Sequence, residues 1–223
     1  MKSRPVSWYR SECRHRRRGR AVSSEYPGGI IGIGSGVQGD RTSGRRWKRI
    51  AVRVSAWLSG IVLLIALAGV PIFVLPPSDE TDGVDAVLVL GPPTGNRIDR
   101  AYEISAANGQ APIVISIAPD GQHSMEETGA CRRIGVECLI PDTFTTKGEA
   151  ELLNQLSAVH GWRTVAVITE SPHVLRARYI FDRCYDGDAR VVSVLYSGWI
   201  LGWVFQYGYQ TGAFVKAALT DCA

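Results

Sequence analysis

His173 and Arg176 are the residues through which this 223-residue chain is best equipped to do chemistry. They fall in Ile168-Thr169-Glu170-Ser171-Pro172-His173-Val174-Leu175-Arg176-Ala177, an apolar run that breaks at a Ser-Pro pair and resumes as an amphipathic stretch. Serine before proline is a helix-start signal, because the hydroxyl caps and proline needs no N–H at the first position. His173 then lies in the first turn, and Arg176, three residues on, shares its face. An arginine there opposes the helix dipole unless an anion meets it. A histidine there has its pKa held down by the helix N-terminus, which suits a general base or hydrogen-bond donor. Arg97 stands near a second helix start and is expected to hold the same anion. Glu149 stands near a third, in Thr146-Lys147-Gly148-Glu149, and is expected to orient the histidine or a water. The plainer alternative pairs Arg176 with Glu149 as structural ions and leaves His173 to cap or pack.

The elements that must position these residues form a regular alternation. Continuous apolar runs predict strands buried on both faces at Ala86–Leu90, Pro112–Ser116, Val136–Ile140, Thr164–Thr169 and Val191–Leu195. Between them, helical patterns cover Asn96–Ala107, Ser124–Arg133 and Thr146–His160, and a further helix opens at Ser171. Strands and helices alternating in this way predict an α/β domain: a three-layer, Rossmann-like parallel sheet of about five strands with right-handed crossovers. In such sheets ligands bind at the carboxyl ends of the strands. The expected ligand-binding set is therefore Gly91, Arg97, Ser116, Thr146, Thr169, Ser171 and Arg176, with His173 and Glu149 as the expected catalytic pair.

Ahead of this domain, Val54–Leu75 runs about 22 residues without a charge, long enough to cross a ~30 Å hydrocarbon layer as a helix. The uneven charge fits that reading. Met1–Arg53 holds fourteen Lys/Arg against three Asp/Glu, whereas the rest of the chain holds eleven against eighteen. Basic residues stay on the cytoplasmic side, so the N-terminus is expected inside and the domain outside the plasma membrane. A cleaved signal peptide fits less well, because Leu75-Pro76-Pro77 follows the apolar run where small residues belong. The expected order is a disordered basic tail (1–50), a transmembrane helix (51–75), a short acidic linker (76–84) and the α/β domain (85–223). Because the basic surplus belongs to the tail, we read attraction to anionic membrane lipid, and no nucleic-acid partner.

Cys131, Cys138, Cys184 and Cys222 all follow the span, an even number in an oxidising compartment. Three pairings are possible. Closeness in sequence favours Cys131–Cys138, leaving Cys184–Cys222; four buried free thiols is the alternative. The segment Ser197–Ala223 carries Trp199, Trp203, Phe205, Tyr207, Tyr209 and Phe214. It reads as a last helix packed on the sheet, drawn back by Cys222, or else as an aromatic surface at the membrane.

Other chemistries find no support. Gly34-Ser35-Gly36-Val37-Gln38-Gly39 matches a dinucleotide-binding pattern, but the polar Asp40–Arg46 run after it is a poor helix and no second strand precedes the membrane. There is no G-x-S-x-G elbow and no P-loop. The four histidines, His15, His123, His160 and His173, lack metal-ligand spacing. Neither metal nor cofactor is expected.

The segment from Ile168 to Ala177 resembles the V-T-x-x-x-H-x-x-R-A segment of the YdcF/SanA/ElyC-like envelope proteins. Val89-Leu90-Gly91 with Arg97 following, and the helix start Thr146…Glu149-Ala150, are similar too; the resemblance covers roughly Asp85–Leu195. It implies a single-span, envelope-facing Rossmann-like domain linked to envelope integrity and to peptidoglycan or lipid-carrier handling. The chain departs from that pattern at Ser116-Ile117-Ala118, where the family has Ser-Gly-Gly, and at Thr146-Lys147, where it has Asn-Thr. The expectation is an anchored protein, enzyme or ligand-binding domain, for an anionic, phosphorylated cell-wall or lipid-carrier intermediate. Its alternative is a non-catalytic anchored interaction module. Convergence of Arg97, Glu149, His173 and Arg176 on one open cleft separates the two.

Overall fold

A computed structural model describes residues 41–119 and 127–222. The Gly34–Gly39 pattern and most of the basic tail lie outside the described residues. Helix α1 (Arg41–Gly69) closes in one turn of π-helix, Val70–Val74, at Pro71. Arg46–Val74 is long and apolar enough to cross a membrane. Its side chains are bare, among them Trp57, Ile61, Leu64 and Ile65. The helix starts earlier than expected, since Arg41–Ile50 was read as part of a disordered tail. Arginine and lysine are good helix formers, and a helix already nucleated in the apolar run propagates through them at little cost.

The domain is built on five parallel strands: β1 (Ala86–Val89), β2 (Ile113–Ser116), β3 (Val136–Leu139), β4 (Thr164–Glu170) and β5 (Asp188–Val194), in the order β3-β2-β1-β4-β5. The expected three-layer, Rossmann-like architecture is therefore present. Side chains alternate across the sheet with the pleat. Val87 and Val89 face α2 (Gly95–Ala107), packing with Ile98, Ala101 and Ile104. Leu88 and Leu90 face α3 (Thr146–His160) and α4 (Val174–Cys184), packing with Leu153, Val174 and Phe181. The two layers meet opposite faces of the sheet because β1 lies between β2, reached through α2, and β4, reached through α3.

Two local expectations change. Between β2 and β3 only a 3-10 turn stands, Glu127–Arg132, in place of a helix over Ser124–Arg133, whose first residues lie outside the described ones. Gly129 weakens an α-helix there. Cys131, paired with Cys138 of β3 at a Cα–Cα distance of 5.6 Å, pulls the turn onto the sheet. Likewise Ser171–His173 forms a 3-10 turn and α4 proper starts at Val174. The second expected pair also forms: Cys184 and Cys222 have Cα atoms 5.5 Å apart.

Helix α5 (Ile200–Leu219) packs on the domain, as the favoured reading of the tail has it. Ala217 enters the core beside α4, and Phe214 meets Tyr179 with ring centroids 4.9 Å apart. Its outer face is bare.

The acidic linker is tighter than a tether. Asp79 N donates to Val191 O at 3.1 Å, and Asp79 Oδ2 accepts from Val191 N at 2.8 Å. Ser78 Oγ accepts from Ser193 N at 2.9 Å. Arg178 donates to Asp79 Oδ1 and to Pro77 O. An edge strand left open is a template for unwanted pairing; here the linker closes β5 and fixes the domain within a few residues of the apolar helix. Asp79→Ala should lower the unfolding free energy by about 1–2 kcal/mol, since Val191 N–H loses its acceptor and a half-exposed ion pair adds little. Hydrogen exchange at Val191 should accelerate in the same variant; unchanged protection there would count against this role.

Candidate functional site

The cleft lies where the strand order turns, between the carboxyl ends of β1 and β4, the place at which open parallel sheets bind ligands. It measures about 670 Å³ and is bounded by Gly91, Arg97, Glu149, His173 and Arg176, with α5 along one side.

Each residue is delivered by its own element. Thr145 caps α3, its hydroxyl accepting from Gly148 N at 3.2 Å. That fixes the first turn and turns Glu149 inward, where only 3 % of it is exposed. Gly148 is required, because a Cβ there would collide with the Thr143 carbonyl. Glu149 Oε1 accepts a hydrogen bond from Gly91 N at 2.7 Å. Gly91 sits close too: a Cβ would stand 2.7 Å from the Phe144 ring, which would have to turn aside, and 3.0 Å from Ser116 O. Burial pushes the Glu149 carboxyl up to about 7, against the opposing pull of the Gly91 hydrogen bond, Ser116, Arg97 and Arg176. Ser116 Oγ is fully buried and makes no hydrogen bond of ordinary geometry, yet its hydroxyl lies close enough to Glu149 to favour the charged form.

His173 is held at both nitrogens. Nδ1 meets Thr169 Oγ1 at 2.8 Å, and Nε2 meets Thr146 Oγ1 at 3.3 Å. The residue as a whole is half-buried and lines the cleft. Burial, then the charges of Arg176 and Arg97, hold its pKa well below the usual histidine value, so the ring is neutral at pH 7. The expected direction is therefore present, with burial rather than the helix end as its main cause. A neutral ring with one N–H and one bare nitrogen can accept a proton or donate a hydrogen bond; which nitrogen does which is decided by the two threonine hydroxyls.

Arg176 donates from Nε to Gln210 Oε1 at 3.0 Å and lies 6.0 Å from the centre of the Tyr209 ring. It is not ion-paired to Glu149 in the way the plainer reading has it: the Glu149 carboxylate faces Gly91. Arg97, 4 % exposed, donates to Leu90 O at 2.8 Å, to Pro92 O, and to Thr94 Oγ1 at 3.1 Å. It thereby staples the β1–α2 loop while adding positive charge to the cleft wall.

Two expected ligand residues stand back from the cleft. Ser116 lies behind Glu149. Ser171 Oγ accepts from Tyr196 N at 3.3 Å, tying the β5–α5 connection to β4 instead of capping a helix or facing the cleft. Glu149 is not within hydrogen-bonding contact of His173, so it does not orient the ring as expected. Sequence reasoning missed the α5 contribution, Gln206, Tyr209, Gln210 and Lys216. It also missed Lys147, whose ammonium donates to Thr220 O, Thr220 Oγ1 and Asp221 O, each at 2.6 Å, closing the C-terminal end of α5. Among the described residues no three His, Cys, Asp or Glu side chains gather as a metal site would need.

Comparison of the chain with protein-family models, curated proteins and solved structures finds no match. The reading of the site therefore rests on its own geometry: cationic side chains at a switch-point cleft, a neutral histidine, and a carboxyl group poised to exchange a proton near neutrality. The carboxyl group gives a direct test. Its folded pKa of about 7 lies above the ordinary value of 4.5, so the folded state keeps a proton that the unfolded chain releases. The stability this confers is full below pH 4.5 and is lost as pH rises through 7. Glu149→Gln should therefore raise the unfolding free energy at pH 8 by up to about 3 kcal/mol and change it little at pH 4. Denaturant titrations at the two pH values check this, and an equal effect at both would refute it.

Proposed function

We propose that this protein is a membrane-anchored envelope protein whose α/β domain binds, and acts on, an anionic, phosphorylated cell-wall or lipid-carrier intermediate. The observation that carries the reading is the convergence of Arg176, Arg97, neutral His173 and protonable Glu149 on one open cleft. A scaffold module has no need of a buried carboxyl group and a histidine beside cations in one cleft; perturbed acids and bases gather where protons are moved. Arg176 is the anion clamp, its guanidinium edge giving charged hydrogen bonds. His173 takes or donates the proton of the reacting group through Nε2 or the Thr146 hydroxyl. Glu149 is the second proton site, with its ionised form favoured by Gly91 N–H. The similarity to YdcF/SanA/ElyC-like envelope proteins adds the envelope setting.

Arg176→Ala should weaken binding of orthophosphate or pyrophosphate, measured calorimetrically on the full chain in nanodiscs, by roughly ten- to a hundred-fold, the worth of one charged hydrogen bond of about 1.5–3 kcal/mol. His173→Ala should leave that binding nearly intact yet fail to restore the envelope phenotype of a strain lacking the protein. If both variants melt normally and both restore the phenotype fully, the cleft is not the functional site.

The proposed orientation places the N-terminus in the cytoplasm and the α/β domain outside the plasma membrane, on the strength of Arg45, Arg46, Lys48, Arg49 and Arg53 before the span. Alkaline phosphatase fused after Ala223 should be active. An inactive fusion, with a cytoplasmic reporter active at the same position, would reverse the topology.

A further inference from the structure

Helix α5 has two unlike sides. One lines the cleft and the core with Gln206, Gln210 and Ala217. The other carries Ile200, Leu201, Val204, Phe205, Val215 and Leu219, all exposed, Phe205 at 64 %. No charge interrupts this stripe; the only charged residue of α5, Lys216, lies at the cleft. Exposed Gly208, Thr211 and Gly212 join its two apolar ends, and nothing among the described residues of the domain buries it.

The position of α5 relative to the apolar helix says what covers the stripe. The Tyr207 ring packs on Phe73 with centroids 4.8 Å apart, and its hydroxyl donates to Ala66 O at 3.3 Å. Gly69 makes room for this contact, since a Cβ there would collide with the Tyr207 ring. Ala66 precedes the end of the apolar run at Leu75 by about 13 Å of helix rise. Tyr207 therefore meets the span below its end, at the depth of lipid. Ile200 and Val204 stand two turns and one turn before Tyr207, on the same side of α5. The stripe thus continues the lipid-facing surface of the span. The linker pinned on β5 at Ser78 and Asp79 leaves no slack to lift α5 away. Trp199, 70 % exposed, opens the helix with the side chain that favours the membrane–water boundary.

We propose that α5 is an in-plane membrane helix, its Ile200–Leu219 stripe seated in the headgroup–acyl boundary of the bilayer, so that the cleft on its other side opens at the membrane surface. The occupant of the stripe is lipid, in the manner of an interfacial amphipathic helix. This goes beyond the proposed function and does not depend on the cleft's ligand.

The test uses the full chain reconstituted in vesicles of phosphatidylcholine and phosphatidylglycerol. The photo-crosslinker p-benzoylphenylalanine replaces Leu201 or Phe205 on the stripe, or Val159, still more exposed on α3, as the control. Lipid adducts at both stripe positions, on the order of tenfold above Val159, are expected. Adducts joining two copies of the chain, or lipid adducts no more frequent than at Val159, would overturn the proposal. A second measurement avoids the crosslinker. In nanodiscs of dibrominated lipid, the Trp199 fluorescence, taken as the difference from Trp199→Phe, should fall to half or less of its value in ordinary lipid. An undiminished signal would overturn the proposal independently.

Discussion

The hydrogen bond from Gly91 N to Glu149 Oε1 is the contact on which the site depends. It joins residues far apart in the chain, the end of β1 and the first turn of α3, across the gap that the strand order opens between β1 and β4. Its demands explain several residues at once. A side chain at residue 91 would press on the Phe144 ring and the Ser116 carbonyl. Residue 148 must lack one so that Thr145 can cap α3 and aim Glu149 inward. A buried carboxylate is costly unless it is hydrogen-bonded and near opposite charge. The Gly91 amide, Arg97 and Arg176 supply both in part, and the carboxyl group settles between its two protonation states near pH 7.

Around that contact the cleft is walled by a helix that the sheet alone does not hold. Besides Gln210 on Arg176 and Phe214 on Tyr179, three ties place α5. Lys147 binds the Thr220 and Asp221 carbonyls just past the end of the helix, where a cation is still favoured by the dipole. The Cys184–Cys222 pair fastens the segment beyond it to the end of α4. Tyr207 rests on Phe73 and Ala66. The first two draw on the chemistry of the domain and the third on the apolar helix, so that helix too helps to place the cleft wall. The Lys147 ammonium is engaged with the segment after α5, so it serves to fix that helix.

The sheet was legible because strands buried on both faces need continuous apolar runs, and AVLV, IVIS and TVAVIT leave little else to be. His173 and Arg176 were legible because helical spacing alone puts them on one face. Ser171 was misread for a physical reason: a hydroxyl after a strand and before proline looks like a cap, but the Tyr196 amide, brought by the return from β5, takes it instead. Arg97 was read as an anion ligand on its position; that its guanidinium also meets the carbonyls of its own loop depends on a turn no pattern specifies. The α5 residues of the cleft escaped because a helix apolar on most sides gives no sign of which side faces what. Asp79 escaped because an acidic linker and an edge plug have the same composition.

Acid and base in this cleft are coupled through the arginines. Arg176 and Arg97 help keep His173 uncharged and, less effectively than burial opposes them, favour ionised Glu149. On the proposed reading an anion seated against Arg176 offsets their field. The imidazolium form then becomes less costly, and so does protonated Glu149, since like charge near a carboxylate disfavours its ionised form. Proton and anion therefore assist each other's binding, and the assistance is reciprocal as a matter of linkage. An empty cleft holds a neutral histidine and a half-ionised carboxyl group. A filled one holds its protons more firmly on both groups, because the ligand's charge offsets the arginines.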